Sequence, residues 1–247
     1  MDRKYEFTGE TKEFNGITLR RIRASTSFSC VQAGELGGWI EKEENLSQDG
    51  DAWVSGDARV SGDARVYGNA RVSGDAKVYG NAKVSGDAWV FGDARVYGNA
   101  RVSCDAKVYG NAKVSGDAKV YGDAKVYGDA KVYGNAWVFG DARVYGNARV
   151  SCDAWVFGDA WVYGNAEVYG GAKVYGDADY MVFKNCWSSG RFFTYTRSNK
   201  KWKVGCFYGT GDELIKKAYA DSEMSGRCYE AIVKAMETIE KAKGEKQ

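Results

Sequence analysis

From Asp51 to Ala178 one six-residue unit runs through the chain: Gly, Asp or Asn, Ala, a long side chain, Val, then Ser, Tyr or Phe. Valine recurs every sixth residue from Val54 to Val174, 21 times. Alternate side chains of a strand point to the same side. In the unit Ala124-Lys125-Val126-Tyr127-Gly128-Asp129, Ala124 and Val126 therefore share one side, and Lys125 and Tyr127 the other. The Gly-Asp pair supplies a corner, because these residues tolerate turn and left-handed backbone. A hexad with a β-branched residue at one fixed place points to a parallel β-helix with Val and Ala inside. Each buried Val contributes roughly 1.5–3 kcal/mol relative to exposure. The interior therefore outweighs any single surface feature.

Composition narrows the function classes. The 35 basic and 33 acidic residues leave a net charge of +2. Duplex nucleic acid is an unlikely partner at that balance, since phosphate neutralisation dominates such binding. The chain has no proline and no histidine. Without histidine, general-base catalysis near neutral pH needs a shifted Asp, Glu, Lys or Cys. The cysteines are Cys30, Cys104, Cys152, Cys186, Cys206 and Cys228, with no C-x-x-C pair and no His to complete a zinc set. Free thiols in a reducing cytosol and no bound metal or cofactor are expected. No apolar run is long enough for a membrane span, and the first residues lack the apolar core of a signal peptide.

The flanks differ from the repeat. Residues 1–50 are expected to form an N-terminal β cap, with strands at Tyr5-Phe7 and Ile17-Ile22, a hairpin signal at Asn15-Gly16, and Gly34-Glu41 leading to the first coil. Residues 179–247 are expected to form a small α+β domain. Its strands are Tyr180-Phe183, Arg191-Arg197 and Lys201-Tyr208, and Thr210-Gly211-Asp212-Glu213 is a capping box opening a helix. A final helix carries Tyr229, Ile232, Val233, Met236 and Ile239 on one stripe, and the tail from Lys241 should fray.

The segment Ala33-Glu41, the Gly-Asn/Asp-Ala-x-Val array over 51–178 and Val204-Thr210 with Asp212-Glu213 resemble the hexapeptide-repeat proteins of phages and prophages. The resemblance implies a left-handed triangular β-helix of 18-residue coils, about seven of them here, related to the hexapeptide acyltransferases. Those enzymes rely on a histidine base that this chain lacks. The resemblance also implies a cytoplasmic accessory protein of viral or prophage origin, with counter-defence as the role by analogy.

Stacking 18-residue coils about 4.8 Å apart makes a prism about 34 Å long and sorts the exterior into columns. The first face carries Trp53, Arg71, Trp89, Lys107, Lys125, Arg143 and Trp161, beside Phe91, Tyr109, Tyr127, Tyr145 and Tyr163. The second is basic, from Arg59 and Lys77 to Arg149. The third turns aromatic at Trp137 and Trp155, flanked by Phe139 and Phe157. Corner residues stack too, and the column through Asp87, Asp105, Asp123 and Asp141 is expected to draw its neutralising charge from nearby Lys and Arg, with a ladder of calcium ions as the alternative.

These features favour a non-enzymatic protein that binds a host protein or a small anionic nucleotide. A self-associating scaffold is the alternative, and an acyltransferase-like enzyme a weaker one. The column Tyr109, Tyr127, Tyr145 and Tyr163 with Trp161, joined by Trp137 and Trp155, is the expected oligomer or partner face. A ligand site is expected where aromatic and basic columns adjoin, or among Trp187, Arg191, Tyr195, Lys203, Tyr208 and Thr210, beside a helix N-terminus able to receive an anion. Cys104 and Cys152 replace corner glycines and lack the partner a nucleophile needs.

Overall fold

The computed structural model describes residues 3–187 and 189–244. They divide between Asp177 and Ala178 into two compact units. In the first, β1 (Tyr5–Phe14), β2 (Ile17–Ala24) and β3 (Leu36–Ile40) precede 21 two-residue strands, one per hexad, from β4 (Trp53–Val54) to β24 (Lys173–Val174). Each of these pairs in parallel with the strand three units away. Trp89 lies between Arg71 and Lys107, and Val90 between Val72 and Val108. The coil is therefore 18 residues, and three parallel sheets wall a β-solenoid. The Trp89 amide donates to the Ala106 carbonyl and that of Phe91 to Val108, both at 3.0 Å. The backbone is thus satisfied from coil to coil. The repeat's Ala and Val side chains between Ala52 and Val174 are at most 1% exposed, as the alternation requires.

Glycine at the corner answers two demands at once. Gly98 has φ +70°, and a Cβ placed on it would stand 3.0 Å from the Gly116 amide nitrogen of the next coil. Cys104 and Cys152 hold the same left-handed conformation at φ +60° each.

The solenoid has about eight turns, one more than the hexads supply. Trp39 pairs with Arg59 and Ile40 with Val60, so β3 is a further rung of the second face. Leu46 bridges Val66 on the third. Ile40 and Leu46 are six residues apart, in step with each other, but eight residues separate Leu46 from Val54. Asn45, wholly buried, secures the irregular turn before that gap. Its Nδ2 donates to the Gly62 and Ala64 carbonyls at 2.9 and 2.8 Å, while its Oδ1 accepts from the Glu41 and Lys42 amides. Strands β1 and β2 continue the second face as an antiparallel hairpin, turning at Asn15 and Gly16 with φ +51° and +76°.

In the second unit β25 (Tyr180–Lys184), β26 (Phe192–Thr196), β27 (Lys201–Val204) and β28 (Phe207–Gly209) form an antiparallel meander. Lys201-Tyr208, expected as one strand, is two, because Gly205 at φ +54° turns the chain back. The helices α1 (Gly211–Asp221) and α2 (Glu223–Gly244) follow. Val233 and Met236 of the predicted stripe are buried with Phe193, Trp202 and Leu214, and Tyr229, Ile232 and Ile239 pack around them. Lys241 to Gly244 is helical rather than frayed, and the expectation for 245–247 lies outside the described residues. No helix among the described residues is long and apolar enough to cross a membrane.

Candidate binding surfaces

Parallel in-register strands place identical positions of successive coils directly above one another, so like side chains form ladders. On the first face Phe91, Tyr109, Tyr127, Tyr145 and Tyr163 stack in one column, with successive ring centroids 4.8, 4.9, 4.9 and 5.4 Å apart. The Trp161 indole meets Tyr145 edge-on at 6.5 Å, under the Arg143 guanidinium at 4.8 Å. Arg71 and Lys107 flank Trp89 at 5.4 Å each. Stacking buries the ring faces, and that burial raises the phenol pKa of Tyr109, Tyr127 and Tyr145. Tyr109, Tyr127 and Tyr145 are half-buried, whereas Trp161 and Tyr163 are 40% and 50% exposed. Trp137 and Trp155 lie on the third face, where the 18-residue register puts them. They stack on each other at 5.1 Å, under Lys119 and Lys173.

Four corner aspartates lie beside cations, as the sequence implied, but not in close ion pairs. Asp87, Asp105, Asp123 and Asp141 line a groove with Lys107, Lys125 and Arg143, yet among the described residues none of the four makes an ion pair within 4.0 Å. Some corners bond up their own columns. Asn69 donates to Asp87, Asn99 to Asp117 and Asn135 to Asp153, each at 3.0 Å. At these places Asn supplies a donor to the neighbouring carboxylate, whereas Asp87, Asp105, Asp123 and Asp141 follow one another with no Asn between them. No cluster of three metal-ligating side chains occurs among the described residues.

The C-terminal candidates do not converge. Antiparallel alternation sends Tyr195 into the core, 6% exposed and 5.0 Å from the Trp202 ring. Lys203, between the buried Trp202 and Val204, points to the opposite face and donates to the Gly205 carbonyl. Tyr208 pairs with Lys203 in the ladder, and its hydroxyl accepts from Asn199 at 3.0 Å. Trp187 packs against Phe193 and Tyr229, and Arg191 is exposed. At the helix start Thr210 Oγ1 accepts from the Glu213 amide at 3.3 Å, and Glu213 Oε2 accepts from the Thr210 amide at 2.8 Å. These bonds hold the Glu213 carboxyl below the usual carboxylate range. Two of the amides at this terminus, those of Thr210 and Glu213, are thus taken up by the capping box itself.

Two cavities escaped the sequence. One, of about 480 Å³, lies between α2 and the meander, lined by Tyr195, Trp202, Lys200, Glu237 and Glu240. The other, of about 280 Å³, lies under the β1–β2 turn. Neither has a motif. Each depends on where a loop or helix comes to rest on a sheet.

With this geometry in place, the comparisons are specific for the repeat. A family model described as YdcK Beta solenoid repeat matches residues 64–78, 94–105 and 142–158. The chain is similar to that repeat. It is also 37% identical over 60 residues to a protein of Escherichia coli (strain K12) named "Uncharacterized acetyltransferase YdcK". That stretch is 21% of this chain and 18% of the relative. The likeness supports a hexapeptide-repeat solenoid and reaches less than a quarter of either protein.

Proposed function

We propose that the protein is a non-enzymatic binding protein whose first face receives a protein partner, with a second copy of the chain as the simplest one. The observation that supports it most is the stack from Phe91 to Tyr163, which ends on exposed Trp161 and Tyr163. A stacked ring pair contributes about 0.5–1.5 kcal/mol beyond its area. Four pairs are thus minor beside the buried valines, so folding has little need of so regular an aromatic surface. Aromatic side chains with Arg are the favoured anchors of interfaces, and here the rings are pre-ordered, which lowers the entropy cost of binding. The resemblance to phage and prophage hexapeptide-repeat proteins supports reading it as an accessory protein of a bacterial cytoplasm that sequesters a host component.

The relative's printed name favours a second reading, acetyl transfer. It is tested by incubating the protein with acetyl-CoA and a panel of amine and hydroxyl acceptors and titrating released thiol. The binding-protein account predicts release at the uncatalysed rate. Release that scales with protein concentration would establish the enzyme instead.

A further inference from the structure

The cavity beneath the β1–β2 turn differs from the groove further along the same face. Elsewhere on the second face Lys113, Lys131 and Arg149 share a groove with Asp93 and Asp129, and Arg95 lines both that groove and the cavity under the turn. Under the turn, Arg59, Lys77 and Arg95 line the cavity with no carboxylate among its walls. Strand pairing sets these three cations on successive rungs, Arg59 beside Lys77 and Lys77 beside Arg95. Nearby acids make no ion pair with the three cations within 4.0 Å among the described residues, although Glu41 Oε2 accepts from the amide of Gly62, a wall residue, at 2.6 Å. Asp57 is taken up by Lys12 at 3.9 Å and by the Trp39 indole at 3.4 Å. Asp75 and Asp93 draw on Lys77 from the corners without an ion pair within 4.0 Å among the described residues.

The remaining walls are mixed, with Asn15 and Ser61 beside the apolar Phe14, Ile17 and Tyr79. Phe14 and Ile17 of the hairpin form a roof, and the Tyr79 ring a side. Arg59 and Lys77 sit over the Phe14 ring at 4.4 and 5.4 Å. That contact uses the face of the guanidinium and leaves its in-plane donors free to bond. The Arg59 Nε is buried and has no acceptor among the described residues. A buried donor on a charged group without an acceptor is costly. Burial and the neighbouring guanidinium groups of Arg95 and Arg59 also push the Lys77 pKa down. An anion between the three cations would offset the mutual repulsion that helps lower the Lys77 pKa.

We propose that this cavity binds a small organic anion, with a planar apolar body against Phe14, Ile17 and Tyr79 and a phosphate, sulfonate or carboxylate head on Arg59, Lys77 and Arg95. The proposal rests on the binding-protein reading but not on the first face. A failure here leaves the aromatic ladder untouched, and the converse holds as well.

Two probes of this chemistry test it by titration of the full chain, adenosine 5′-monophosphate by calorimetry and 8-anilinonaphthalene-1-sulfonate by fluorescence. At least one should saturate a single site. Uncharged adenosine, if the nucleotide binds, should bind at least tenfold more weakly. Arg59→Gln and Lys77→Gln should each weaken the bound probe about tenfold, the loss expected for one charged donor. Lys113→Gln, on the same face outside the cavity, should leave binding unchanged. Two substitutions guard against loss of fold, and each is compared only at an unaltered thermal midpoint. Saturation by neither probe, or binding that survives both Arg59→Gln and Lys77→Gln, would overturn the proposal.

Discussion

At the scale of the residue, burial decides. Val114 is wholly buried and Lys113 beside it is not. Val114→Asp places an unpaired charge where several kcal/mol are needed to hold it, and soluble expression should be lost. Lys113→Ala should change stability by less than about 0.5 kcal/mol. Equal tolerance of the two substitutions would contradict the inward valine. Cys104 offers the opposite sign. It holds φ +60° at a glycine corner, a conformation that costs an L-residue about 1–2 kcal/mol. Cys104→Gly should therefore stabilise, by about 1 kcal/mol once the greater chain entropy of glycine is subtracted, and thermal unfolding reads the change. Lys4 is a different case. Its ammonium is buried and donates to the Gly50 and Ala52 carbonyls at 3.2 and 2.9 Å. Burial lowers its pKa from 10.5 to about 8, against the opposing pull of Asp51 and Asp49. The unfolded chain thus holds this proton more tightly than the folded one. The cost is full below pH 8 and disappears as pH rises toward 10.5, so stability gains across that window. Against Lys4→Met, wild type should gain stability from pH 8 to 10, and parallel curves would contradict the assignment.

At the scale of the element, the helix start is the clearest local test. Thr210 and Glu213 satisfy each other's backbone amides, so Thr210→Ala should cost about 1 kcal/mol, read by denaturant unfolding. This capping box was legible in the sequence because its logic is local. So was every rung of the repeat, because each hexad states its strand, its inward pair and its corner. The eighth turn was not, since Ile40 and Leu46 keep the six-residue step without the glycines that mark it. Asn45 replaces the corner with side-chain bonds to two carbonyls. The C-terminal candidates come together only in part, Lys203 beside Tyr208 with Tyr195 in the core, for a related reason. Spacing could not tell which of Tyr195, Lys203 and Tyr208 share a face once Gly205 turns the strand. The cation-lined cavity needed the resting place of the Asn15-Gly16 turn on the second face, which no local pattern encodes.

At the scale of the whole molecule, fold and proposed function draw on different atoms of the same repeat. Val and Ala fix the coil from inside, while the residue after each Val is free to be Ser, Tyr or Phe. Serine already stands in the ladder column at Ser55 and Ser73. The central claim is that the Phe91–Tyr163 ladder is a contact surface and not a condition of folding. Sedimentation equilibrium at micromolar concentration, on wild type and on Tyr109→Ser/Tyr127→Ser/Tyr145→Ser, tests it most directly. The account predicts a wild-type mass that is a multiple of 27.1 kDa, and a folded triple variant close to 27.1 kDa. A multimer unchanged by the three substitutions, or a triple variant that no longer folds, would contradict it.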